Sequence, residues 1–340
     1  MKKIIWGLFG LYAILGCKAA ANSDVPTVHY QIANRISLDG DGFWDYLTLE
    51  ENTDRLFVSH GTQVQVVDLK TGKMTGVIAD TKGVHGIAFA TALGKGFISC
   101  GRDTSVVVFD MQTLAVIGKI KVTGANPDAI LYDPATRRVF TFNHDGENAT
   151  VIDAGTNRVI GTIALGGAPE FAVTDGRGTV FVNIEDKSEI AVFDAQTLKI
   201  IHRWSIQPGE SPSGLAFDIK NGRLFAVCEN KKMVVVDAKT GHVVQVLPIG
   251  EGVDGVAFDP ATRRIFSSNG EGSMTVIEEK TPNEFHILAT VPTQRGARTI
   301  ILDPKTHHLY LPTSEREAPV GDARPKWKPG TFVVLEMMEK

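Results

Sequence analysis

Gly255-Val256-Ala257-Phe258, Asp259-Pro260-Ala261-Thr262, Arg264-Ile265-Phe266-Ser267 and Thr275-Val276-Ile277-Glu278 read as a strand, a turn, a second strand and, after a short loop, a third strand. Pro260 pre-sets the turn dihedral, and the Asp and Thr side chains bond the local backbone. The acid that closes the third strand recurs at Asp68, Asp110, Asp153, Asp194, Asp237, Glu278 and Glu336, at intervals of 42, 43, 41, 43, 41 and 58 residues. An aromatic in the second strand recurs at Phe57, Phe97, Phe140, Phe181, Phe225, Phe266 and Tyr310, at intervals of 40, 43, 41, 44, 41 and 44. Two independent markers share one period. A unit of roughly 40–45 residues holding four short strands is the period of a β-propeller blade.

Seven copies therefore predict an all-β fold, a seven-bladed β-propeller with four-stranded antiparallel blades. After Tyr310 the last unit holds only its first three strands. The segment from His29 to Leu38 matches the outer-strand pattern seen from Val159 to Leu165. The N-terminal strand is thus expected to complete the last blade, which removes the open edge of a radial array. The 58-residue interval marks an insertion over 314–330 in that blade, on the same face as the ends of the second strands.

The third-strand acids and the threonines three residues on (Asp110/Thr113, Asp153/Thr156, Asp194/Thr197, Asp237/Thr240) are read as turn formers rather than catalysts. His307 and His308 occupy the hairpin slot of Arg137/Arg138 and Arg263/Arg264 and are read as hairpin surface.

The repeats resemble the YVTN β-propeller family, the YncE-like proteins, through Phe140-Thr141-Phe142-Asn143, Phe266-Ser267-Ser268-Asn269 and, displaced by one, Phe181-Val182-Asn183. The likeness covers nearly all of the chain after its first residues. It implies the architecture and leaves the activity open, because fold does not imply function.

Lys2 and Lys3 precede an apolar run from Ile4 to Gly16, too short to span a bilayer and the right length for a secretory signal. Residues 1–21 are expected to be that signal, leaving 22–340 as one propeller domain exported to the periplasm or cell surface of a bacterium. Two cleavage sites compete. Ala19-Ala20-Ala21 fits signal peptidase, whereas Ile14-Leu15-Gly16-Cys17 resembles a lipoprotein box in which Cys17 would carry a lipid, the one expected membrane contact. Loss of Lys2, Lys3 and Lys18 takes the formal charge from −4 to −7. Without a basic stripe to displace counterions, nucleic acid is not an expected partner.

The repeat register predicts which side chains meet at the top of the ring. Inner strands bring Asp45, His85, Asp128, Glu170, Ser213, Asp254 and Arg298; second-strand ends bring His60, Cys100, Asn143 with His144, Glu185, Cys228, Asn269 and Thr313. Cys100 and Cys228 fall in blades two and five, too far apart for a disulfide, and are expected to be free thiols. His60, His85 and His144 are candidate ligands for a divalent metal, although none is required by the reading. His85, Asp128 and Glu170 are candidates for acid–base chemistry. Asp45, Asn143, Asp254, Arg298 and Trp327 are candidate ligand contacts, Arg298 for a carboxylate or phosphate. A haem-attachment motif, a phosphate loop and a nucleophile elbow are all lacking. The expected function is a monomeric binding module for a small molecule, glycan or protein. The alternative is a metal-assisted, lactonase-like hydrolase or lyase acting on an anionic substrate in the same funnel.

Overall fold

The computed structural model describes residues 28–50, 53–317 and 326–340, together with Met1. The segments proposed as signal and lipid attachment lie outside the described residues, as does the middle of the 314–330 insertion.

Seven four-stranded sheets form the blades. Their inner strands are Trp44–Leu49, Val84–Ala90, Pro127–Asp133, Pro169–Thr174, Pro212–Asp218, Val253–Asp259 and Ile301–Leu302, each beside the next around the axis. Every blade pairs its strands antiparallel, and in six of them the four strands are consecutive in sequence. In the seventh, Tyr30–Ser37 pairs with Val333–Glu339, so the two chain ends are joined by a ladder running from Tyr30 opposite Glu339 to Ser37 opposite Val333. The circle closes as the repeat pattern predicts.

The repeat aromatics explain why the blades pack. Phe57, Phe97, Phe140, Phe181, Phe225, Phe266 and Tyr310 are all buried. They fill the seams between blades: Phe57 meets Phe109 of blade two at 5.8 Å, Phe140 meets Phe193 of blade four at 5.2 Å, and Phe225 meets Phe285 of blade six at 5.7 Å between ring centroids. Each buried ring is worth on the order of 1.5–3 kcal/mol relative to an exposed one. A single blade has no partner for its two faces, so this stabilisation exists only in the assembled ring.

The turn acids behave as their spacing predicts. Asp110 Oδ1 accepts from the Thr113 N–H and hydroxyl at 2.7 and 2.8 Å, and Asp153 and Asp237 hold Thr156 and Thr240 in the same way. Arg137, Arg263 and His307 share one left-handed hairpin position, with φ of 55°, 55° and 62°. His307 and His308 pair separately with Asp259 and Glu336, each at 2.8 Å, which is a hairpin arrangement and not a shared site.

Candidate functional site

The site grows from one irregularity repeated in six blades. Each inner strand opens on a buried anchor (Trp44, Val84, Pro127, Pro169, Pro212, Val253), and the ladder slips directly after it. The residue after the anchor is Asp45, His85, Asp128, Glu170, Ser213 or Asp254. A bulge re-aims a side chain and leaves backbone groups without ladder partners. Side chains of the second strands and of the next blade supply those partners. Ser59 Oγ accepts the Asp45 N–H at 3.0 Å, and Ser99 Oγ accepts the Gly86 N–H at 2.8 Å while donating to the Asp128 carbonyl. Asn183 Nδ2 donates to the Ser213 carbonyl at 2.9 Å, and Thr299 Oγ1 donates to the Asp45 carbonyl at 2.7 Å. Three of the seams between blades are stitched in this way.

The aimed side chains form two clusters of alternating charge along one arc. Arg298 pairs with Asp254 and, at 3.2 Å, with Asp45. The other Asp45 oxygen takes His85 Nδ1 at 2.6 Å, and Asp128 stands 3.6 Å from the same nitrogen. Further round, His144 Nε2 lies 3.1 Å from Glu185 and 3.4 Å from Glu170, with its Nδ1 on Asp145 at 2.9 Å. Beneath the arc, Tyr46 packs edge-on against Phe171 at 5.2 Å, and the space left there is about 20 Å³. The funnel is open at the rim and nearly closed at its base.

Protonation follows from this crowding. Burial pushes Asp128 up to about 6 and Glu170, with its acidic neighbours, up to about 8. Burial opposes charge on His85, but the hydrogen bond to Asp45 and the charges of Asp128 and Asp45 outweigh it and hold the imidazole at about 9. The Glu185 hydrogen bond, against some burial, raises His144 to about 10. Burial, then the negative charges of Asp128, Asp45 and Glu170, push the Tyr46 phenol well above its ordinary range. Both funnel histidines are therefore cations at neutral pH.

The expected site residues divide clearly. Asp45, His85, Asp128, Asp254 and Arg298 are linked in the funnel, and Glu170 pairs with His144 in a second cluster beside them. His60 does not. It is 2% exposed, bonds Gln65 at 3.1 Å and stacks on Phe332 at 3.9 Å, so the three histidines do not gather around one ion. Asn143 is fully buried, turns into the blade and donates through Nδ2 to Asn148 and Thr150 at 2.7 and 2.9 Å. The reason is common to both. The last residue of a second strand pairs with the buried anchor, not with the bulge, and turns into the blade. Cys100 and Cys228 share that position; they are free and buried, and burial pushes both thiols up to about 12.

Among the described residues, two groups could hold a cation: Asp45, His85 and Asp128, and His144, Glu170 and Glu185, each with its ligand atoms within 4.8 Å of one another. In the first, the Arg298 guanidinium already engages Asp45 and competes with a metal.

Sequence reasoning missed Phe43. It is 43% exposed, stands edge-on to His85 with ring centroids 6.1 Å apart, and has the Arg298 guanidinium 5.1 Å from its ring centre. Gly40 and Gly42 carry it there with φ of 107° and 122°, a region closed to other residues. Phe43 divides the rim into two clefts. One of about 450 Å³ is lined by Trp44, Arg295, Arg298, Arg316 and Trp327; the other, of about 430 Å³, by Asp41, Thr62, His85, Arg102 and Asn126.

No family model matches the chain, and no curated protein matches it in sequence. Among solved structures, Kuenenia stuttgartiensis hydrazine synthase superimposes with a TM-score of 0.70 over 78% of this chain and 91% of that chain, at 18% identity. At that identity the likeness carries the fold alone.

Proposed function

We propose that this chain is an exported binding module of the YVTN type, a monomer that holds a small polar molecule or a glycan in its top-face funnel. The reading rests on the pairing of both funnel histidines with carboxylates, His85 with Asp45 at 2.6 Å and His144 with Glu185 at 3.1 Å. The histidines are held as imidazolium by carboxylates at about 9 and about 10, so neither offers a free base at neutral pH. A closed floor, a rim of fixed donors and acceptors, and an exposed aromatic at Phe43 fit a ligand that is held rather than turned over. The N-terminal signal supplies export, with the lipid on Cys17 as one form of retention at the membrane.

One observation favours the second reading, a metal-assisted hydrolase or lyase. Glu170 titrates at about 8, near neutrality, beside His144 and Glu185, a set with metal-ligand chemistry. Metal analysis and native mass spectrometry of the purified protein separate the two. The binding reading predicts a chain without stoichiometric metal that captures glycans or small polar molecules and loses them on Asp128→Asn or Arg298→Gln. Stoichiometric metal, lost together with turnover of a lactone on Glu170→Gln, would establish the enzyme instead.

A further inference from the structure

The larger rim cleft has a chemistry of its own. Arg295 and Arg316 both line it, and neither guanidinium meets a carboxylate or any other hydrogen-bond acceptor among the described residues. They lie close enough for burial and the charge of Arg295 to lower the Arg316 pKa. Two acids share the rim: Glu251 pairs with Lys231 at 2.9 Å and also feels the charge of Arg295, and Glu271 accepts the Ser273 hydroxyl at 2.8 Å. Arg298 on the floor is satisfied by Asp254 and Asp45. Among the described residues neither guanidinium has a direct partner, so both keep donors to offer an oxyanion.

The walls are aromatic. Trp327 packs on Trp44 with ring centroids 4.3 Å apart, and Arg316 lies over the Trp327 ring at 4.5 Å. The two described stems of the insertion pair through Arg316 and Trp327 and through the Lys328 N–H on the Glu315 carbonyl at 2.8 Å. A second, independent sign is Trp44 itself. It is 2% exposed, lines the cleft, and its indole N–H finds no acceptor among the described residues.

We propose that this cleft binds a carboxylate carried on a flat ring. The ring lies against Trp327 and Phe43, and the carboxylate lies between Arg295 and Arg316. The inference rests on the reading of the top face as the binding face and names the class of ligand that face selects.

Benzoate is the probe, with acetate (charge without ring) and benzyl alcohol (ring without charge) as controls, followed by calorimetry and tryptophan fluorescence on the full chain. Benzoate should bind at least tenfold more tightly than either control. Arg316→Gln and Arg295→Gln should each weaken it by about tenfold or more, the scale of one charge-assisted hydrogen bond. Trp327→Leu should weaken it as well, with Arg316→Gln keeping the wild-type melting temperature as the check on folding. Benzoate binding that survives both arginine variants but is lost in Glu170→Gln would place the ligand in the funnel and overturn the cleft assignment. Failure of benzoate to bind, while the funnel still captures a polar ligand, would also overturn it and leave the broader reading standing.

Discussion

Replacing Asp45 with Asn removes the hinge of the charge arc while keeping its shape. Asp45 is 4% exposed and joins two cations, Arg298 at 3.2 Å and His85 at 2.6 Å. Taking away one partner of a buried pair costs about 3–5 kcal/mol when the remaining charge is left alone. Here neither is left alone, since Arg298 keeps Asp254 and His85 keeps Asp128 at 3.6 Å. The expected loss is therefore nearer about 2 kcal/mol, below the range for a fully orphaned charge. Urea unfolding at neutral pH reads it directly. The pH dependence carries the sign. His85 is raised to about 9 from 6.5, so its contribution is complete below 6.5 and fades as pH rises through about 9. The penalty of the Asp45→Asn substitution should shrink over the same window. A loss under about 0.5 kcal/mol, the scale of an ordinary surface substitution, with no pH trend would refute the reasoning.

Other outcomes follow from the same structure. At the seam of blades five and six, Glu279 and Asp218 are 0% and 3% exposed, and one oxygen of each meets no donor. Burial, together with the charge of Asp218, pushes Glu279 up from 4.5 to about 7, so its stabilisation is complete below 4.5 and is lost as pH rises towards 7. Glu279→Gln supplies an amide donor and should flatten that part of the melting-temperature profile; an unchanged slope would count against a shared proton there. Cys100 and Cys228, buried with pKa raised to about 12, should resist iodoacetamide in the native state and react on unfolding, and rapid native labelling would contradict their placement. Deleting the chain before Leu38 removes the strand paired with Val333–Glu339 and exposes a sheet edge, so the product should melt earlier and self-associate on gel filtration.

The fold was legible in the chain because its markers are structural necessities of every blade. The repeat aromatics fill the seams, the third-strand acids build the hairpins, and the strand from Tyr30 matches an outer strand because it is one. The site was legible where the same register holds: Asp45, His85, Asp128, Glu170, Asp254 and Arg298 occupy one position of the repeat. It failed for His60 and Asn143 because a one-residue slip in the ladder separates the side chain that faces the axis from the one that faces the core, and that slip leaves no mark in composition. Phe43 was missed for a different reason. It precedes the first inner strand on a glycine-hinged turn and has no counterpart in the other blades, so no repeat could point to it.

Residues from separate blades pair into two charged clusters at the top of the axis, and the binding face depends on that pairing. Proton titration of the imidazoles by NMR, with His85→Asn and His144→Asn assigning the signals, tests it most directly. The pairing predicts that His85 titrates at about 9 and His144 at about 10, each far above 6.5. Both signals moving together at about 6.5, as free surface histidines do, would contradict it.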